Sequence, residues 1–286
     1  LLGDKNQKFY MNGKFDKITS NYDDLVGILP NVLEKRLPVI LKKAGNVTIA
    51  GNTQITTTSI HANLVMSSAL GYTKSKFTIE NMDQSDKAVY KGFVVLDNFN
   101  VGTLLDNKEL SKVSLQMDID GKSFSEKSLN TSVKGMITQM DYNGYNYKNI
   151  TVNGNFTAPL YKGTVTVNDP NLKMNFDGLV NLSQRENRYN FKIKIDEAEL
   201  HRLKFVNDTV SQLKGDIIVN VHGNSLENIH GNIDVDAITY TNSRNTYLFD
   251  DFNLNTSFDE NRVRTIRMNS PDITDGEIVG KYKFSE

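Results

Sequence analysis

The chain resembles itself at a spacing of roughly 100 residues, in segments that alternate apolar and polar side chains. Leu115-Gln-Met117-Asp-Ile119-Asp-Gly121 sets against Ile217-Ile-Val219-Asn-Val221-His-Gly223, 102 residues on, with the apolar positions and the closing glycine in step. The same displacement carries Ile150, Val152 and Phe156 onto Phe252, Leu254 and Phe258. Upstream, Leu96-Asp97 through Leu104 runs parallel to Ile195-Asp196 through Leu203 at a displacement of 99. Two repeats follow, 91–187 and 188–286, and 1–90 reads as a variant third copy, in which Val47-Thr-Ile49-Ala-Gly51 matches Met117-Asp-Ile119-Asp-Gly121 at 70. Repeats of this kind stack neighbour on neighbour and build a continuous surface, so the expectation is one continuous repeat body over 1–286.

Alternation with period two places apolar side chains on one face of a strand and polar ones on the other. Phe191-Lys-Ile193-Lys-Ile195-Asp is written this way, as are Thr164-Val165-Thr-Val167-Asn, Ile233-Asp-Val235-Asp and Phe252-Asn-Leu254-Asn. Asn143-Gly144, Asn153-Gly154, Asp177-Gly178 and Asp275-Gly276 offer residues that tolerate positive φ and are read as turns. Only 22–44 has helical spacing, with Leu25, Val26, Leu29, Val32 and Leu33 three and four apart. Asn21 or Ser20 caps its start, Lys42 and Lys43 complement its last turn, and Gly45 permits a left-handed exit. Pro30 and Pro38 break it into two or three short pieces.

This one helical segment is too small to cover so many apolar strand faces. The sheet therefore either closes into a filled sandwich or barrel, or leaves its apolar faces looking onto an open trough; periodicity alone leaves both open. The apolar alternates are Val47 and Ile49, Leu115, Met117 and Ile119, Ile150 and Val152, Val165 and Val167, Ile193 and Ile195, Ile217, Val219 and Val221, Phe252 and Leu254. In a closed sheet these are core; in a trough they are its lining.

Little in the chain points to a reaction. There is no cysteine, which removes disulfides, thiolate metal sites and thiol nucleophiles. The 33 Lys and Arg against 34 Asp and Glu are interspersed, so no field attracts nucleic acid. No run of 18 apolar residues marks a membrane-spanning helix. The opening Leu1-Leu-Gly-Asp is read as part of a longer chain. His61, His201, His222 and His230 are scattered, none with a carboxylate partner at ligand spacing on one element, so no metal is expected. Asp118/Asp120 and Asp234/Asp236 fit the solvent face of a strand, and Asp196-Glu197-Ala-Glu199-Leu-His201 reads as a connection, not an acid–base pair. The chain is expected not to be an enzyme and to carry no cofactor.

Three stretches carry a family resemblance. They are the proline-broken helix around Asp24-Leu-Val-Gly-Ile-Leu-Pro30 and Leu37-Pro38; Gly45-Asn-Val-Thr-Ile-Ala-Gly51 followed by Ala62 through Phe77; and Gly135 through Ile150, with Tyr142-Asn-Gly144-Tyr145-Asn-Tyr147. Together these resemble the repeating region of the TamB (translocation and assembly module) and AsmA-like proteins. The second copy departs from that phrase: Tyr240-Thr-Asn-Ser-Arg244-Asn-Thr-Tyr247 lacks the glycine.

The resemblance implies an all-β, elongated β-groove of mainly antiparallel amphipathic strands, a middle segment of a periplasmic protein anchored in the inner membrane outside this segment. It implies a non-enzymatic conduit that carries phospholipid acyl chains between inner and outer membranes, with copurified phospholipid as the expected bound molecule. One alternative is a scaffold for outer-membrane β-barrel assembly beside an Omp85-family partner, and another is a structural or carbohydrate-binding β solenoid using Tyr142, Tyr145, Tyr147 and Tyr240. At about 4.8 Å between strands, roughly sixteen strands give a groove on the order of 75 Å long.

Overall fold

The computed structural model describes residues 10–28, 39–125, 128–183, 185–271 and 275–281. The chain divides into two compact units, Leu1–Ala158 and Pro159–Glu286. The first holds β1 (Tyr10–Ser20), α1 (Tyr22–Ile28), a 3-10 helix (Val39–Ala44), β2 (Val47–Thr56), β3 (Ser59–Ser68), β4 (Gly71–Glu80), β5 (Val89–Asn100), α2 (Val101–Leu105), β6 (Leu110–Lys122), β7 (Asn130–Tyr142) and β8 (Tyr145–Thr157). The second holds β9 (Leu160–Asp169), β10 (Leu172–Asn181), β11 (Arg188–Glu199), β12 (Ser211–His222), β13 (His230–Asn242), β14 (Thr246–Phe258), β15 (Arg264–Asn269) and β16 (Gly276–Gly280).

Within each unit every strand pairs antiparallel with the next in sequence, so the fold is all-β and each unit is a meander. Among the described residues all the strands of a unit belong to one sequentially paired sheet. The helical pieces pack on one another and, through α2, on β6. No helix among the described residues is long and apolar enough to cross a membrane.

The segment 22–44 is seen at its two ends, as α1 and the 3-10 helix; 29–38, with both prolines, lies outside the described residues. Asn21 Oδ1 caps α1 by accepting from the amides of Asp23 (2.9 Å) and Asp24 (3.0 Å). Gly45 leaves the 3-10 helix at φ +64°, and Lys42 reaches Asp23 at 3.2 Å. The five-residue α2 was not visible as a helical pattern; Asn100 Oδ1 caps it through the Thr103 amide at 2.8 Å.

Ladder registers repeat along the chain. The β5–β6 pair Val94 and Met117 becomes the β11–β12 pair Ile193 and Ile217, 99 and 100 residues on. The β7–β8 pair Met140 and Tyr147 becomes Tyr240 and Tyr247 on β13–β14, both 100 residues on, and the β3–β4 pair Ala62 and Phe77 becomes Gly163 and Gly178, both 101 on. Even the irregularities recur: the bulge between Leu96 and Phe99 reappears between Ile195 and Ala198, at a displacement of 99.

The ladder corrects the displacement of 102 in two places, since Met117, not Leu115, stands where Ile217 stands, and Gly154 stands where Leu254 stands. A slip of two residues preserves an alternating pattern, so the sequence alone could not see it. The match of Val47–Gly51 to Met117–Gly121 also fails, because β3 and β4 correspond to β9 and β10 and so make β8, not β6, the counterpart of β2.

Two expected turns are strand interior. Asn143-Gly144 does join β7 to β8, with φ of +48° and +76° as a hairpin of the primed type needs. Asn153-Gly154 instead lies within β8 and Asp177-Gly178 within β10. Gly178 is there for room: a Cβ on it would stand 2.4 Å from the Cβ of Phe191.

Candidate functional site

Antiparallel pairing puts directly opposed residues on the same side of a sheet, so the ladder defines which side chains share a face. In the first unit, β4 to β8 align three rows: Thr73, Leu96, Leu115, Ile137, Ile150; then Ser75, Val94, Met117, Gly135, Val152; then Phe77, Gly92, Ile119, Val133, Gly154. The first row continues through Met66 to Ile49 on β2, whose neighbour Val47 shares its parity. In the second unit, Val165, Phe176, Ile193, Ile217, Val235 and Phe252 form one row and Gly163, Gly178, Phe191, Val219, Ile233 and Leu254 the next. Val167 and Ile195 share a third row through Met174, and Val221 a fourth with Tyr189 and Gly231.

All sixteen apolar alternates named from the sequence therefore lie on these faces, each within its own unit. Val47, Ile49, Ile150, Val167 and Val221 are buried and the rest are half-buried. No row named above contains a charged side chain. Its polar atoms are neutral: the Thr73 and Ser75 hydroxyls are buried without a hydrogen-bond partner, and in an adjacent row Tyr90 Oη bonds Thr131 Oγ1. Partial burial also pushes the Tyr161 phenol up, because the ionised form loses hydration there.

Met82, from the connection between β4 and β5, closes one end of the first face over Ile55, Ile60 and Ala62, with Met11, Leu64, Phe77 and Ile79 packed around them. Arg264 marks an end of the second. It is 3% exposed, stacks on Phe258 at 5.3 Å, and donates to the Leu226 and Ile229 carbonyls at 2.8 Å each.

The opposite side of each sheet carries the charged side chains, with Phe93, Met136 and Ile218 exposed among them. Lys91 faces Asp120 at 3.5 Å, Lys192 faces Asp216 at 2.5 Å and Lys173 faces Glu197 at 2.7 Å. The hydrogen bond to Glu197 and then its charge hold Lys173 above the ordinary lysine range; the same contact holds Glu197 below the ordinary carboxylate range. Lys192 is raised in the same way by Asp216. Asp118 and Asp120 alternate with the apolar residues of β6, as solvent-face carboxylates do. The tyrosines proposed as a sugar platform sit at turns: Tyr145 meets Tyr147 edge-on at 4.7 Å, Tyr147 is buried, and Tyr142 Oη donates to Glu109 at 2.8 Å.

One cluster was missed in the sequence. His222 and His230 are directly opposed on β12 and β13, their rings stacked at 5.5 Å, with Glu186 reaching both. The available signal was the pair of histidines flanking a short polar connection, 223–229, at hairpin spacing. Comparison of the chain with protein-family models, with curated proteins and with solved structures found no match.

Proposed function

We propose that the apolar rows of the sheet faces bind the acyl chains of phospholipid, and that the protein is a non-enzymatic lipid conduit. The observation that carries this reading is the set of aligned rows, buried and half-buried side chains without a charge among them, on one side of a single sequentially paired sheet in each unit. Contiguous apolar rows left partly in contact with water suit a binding face.

The energetics favour such a cargo. Each methylene taken from water gains about 0.8 kcal/mol, so a tail of about sixteen carbons gains on the order of 13 kcal/mol at full burial. A face that offers methyl groups, glycines and neutral hydroxyls fixes no head group. It favours sliding along the rows over tight, specific capture. The resemblance to TamB- and AsmA-like grooves adds a periplasmic setting between two membranes to the proposal.

Mass spectrometry of an organic extract of the purified protein tests it. Phospholipid in near-stoichiometric amount, absent from a soluble control protein prepared alongside, is the expected result; an extract free of lipid contradicts it.

A further inference from the structure

We propose that Glu186, His222 and His230 bind a divalent transition-metal ion of the Zn2+ type. His222 Nδ1 lies 3.7 Å from Glu186 Oε2 and His230 Nε2 lies 3.9 Å from Glu186 Oε1, and one ligand atom from each residue falls within 4.8 Å of the others. Ligand atoms around tetrahedral Zn2+ stand about 3.3 Å apart, given bonds of about 2.0–2.1 Å. The three groups therefore have to close by an ångström or so, a side-chain adjustment for residues 36–48% exposed. Two imidazoles and a carboxylate suit Zn2+ and its first-row neighbours, not Ca2+ or Mg2+, and they leave one position for water.

The surroundings hold these groups as a metal site requires. His230 Nδ1 is 3.1 Å from the Asn228 carbonyl, the outer hydrogen bond that a metal-ligating imidazole makes, and its Nε2 is the ring nitrogen on the side of Glu186. Glu186 is held through its neighbours on both sides. Asn224 Oδ1 accepts from the Asn187 amide at 2.5 Å, Asn224 Nδ2 donates to the Arg185 carbonyl at 3.1 Å, and the Gly223 amide donates to the Asn187 carbonyl at 3.0 Å. Ser183 Oγ bonds both the amide and the carbonyl of Glu186 itself. The charged residues bordering the site are Arg185 and Arg188, the latter paired with His222 in register, Glu227 in the 223–229 connection, and Arg264, which stacks on the Phe258 ring that His230 meets edge-on.

The repeat shows that the fold does not need imidazoles here. At the corresponding ladder position of the first unit, β6 and β7 pair Lys122 with Asn130, 100 residues before His222 and His230. That position offers a cation and an amide in place of two ligands.

The test is titration of untagged protein with Zn2+ at neutral pH by isothermal calorimetry, together with the double variant His222→Lys/His230→Asn, which restores the residues the fold already accommodates. Wild type is expected to bind one Zn2+ per chain, with affinity lowered at least about tenfold in the double variant and in Glu186→Gln, and unchanged in His61→Gln. Histidine NMR of the wild type reads the site without any variant: Zn2+ should shift the His222 and His230 ring signals and leave His61 and His201 in place. Absence of stoichiometric binding, equal binding in the double variant, or shifts at His61 and His201 instead overturns the proposal.

Discussion

Tyr90 lies over Gly121. The two are opposed across β5 and β6, and a Cβ on Gly121 would stand 2.5 Å from Tyr90 Cε2 and Cζ. The ring is not free to swing aside: it stacks on Phe124 at 4.5 Å, and its hydroxyl bonds Thr131 on β7. A glycine on the apolar face here serves an aromatic neighbour rather than a turn.

Gly121→Ala should accordingly destabilise the protein by about 1–3 kcal/mol, the usual cost of overpacking a fitted site. Chemical denaturation of Gly121→Ala, Tyr90→Leu and the double variant checks this. The two substitutions should be clearly less than additive, since removing the ring removes the clash. Additive losses would mean that the ring does not occupy the space above Gly121.

The Lys173–Glu197 pair gives a pH signature on the polar side. Glu197 has its folded pKa below the ordinary 4.5, so its contribution is present above 4.5 and is lost as pH falls through the folded value. Lys173 has its folded pKa above the ordinary 10.5, so its contribution is present below 10.5 and is lost as pH rises through the folded value. Both groups are exposed, so the effect is small and salt-sensitive. Thermal melts of wild type and Glu197→Gln should differ slightly at neutral pH and converge in acid. A difference that persists unchanged in acid would contradict the pairing.

What was legible in the sequence was local. The alternation in Phe191 through Ile195 sets which side chains share a face, because the side-chain period of a strand is two whatever its partners, and Asn21 and Gly45 mark helix ends by chemistry that needs no neighbours. What was not legible depends on register. Gly178 looks like a turn residue until Phe191 is placed beside it, the displacement between Met117 and Ile217 cannot be separated from its neighbours two residues away, and His222 meets His230 only because of how β12 and β13 pair. Glu186 joins them from a connection whose path no periodicity records.

The central claim is that acyl chains lie on the apolar face and not on the polar one. Val219 and Asn220 are adjacent on β12: Val219 is half-buried between Phe191 and Ile233 on the apolar face, and Asn220 is exposed on the other. A photoactivatable cross-linking residue placed at 219 or at 220, irradiated in the presence of phospholipid and read by mass spectrometry of the intact protein, compares the two faces directly. Covalently attached phospholipid is expected at 219 and little at 220. Equal attachment at both positions, or none at either in protein that retains its β circular dichroism, would contradict it.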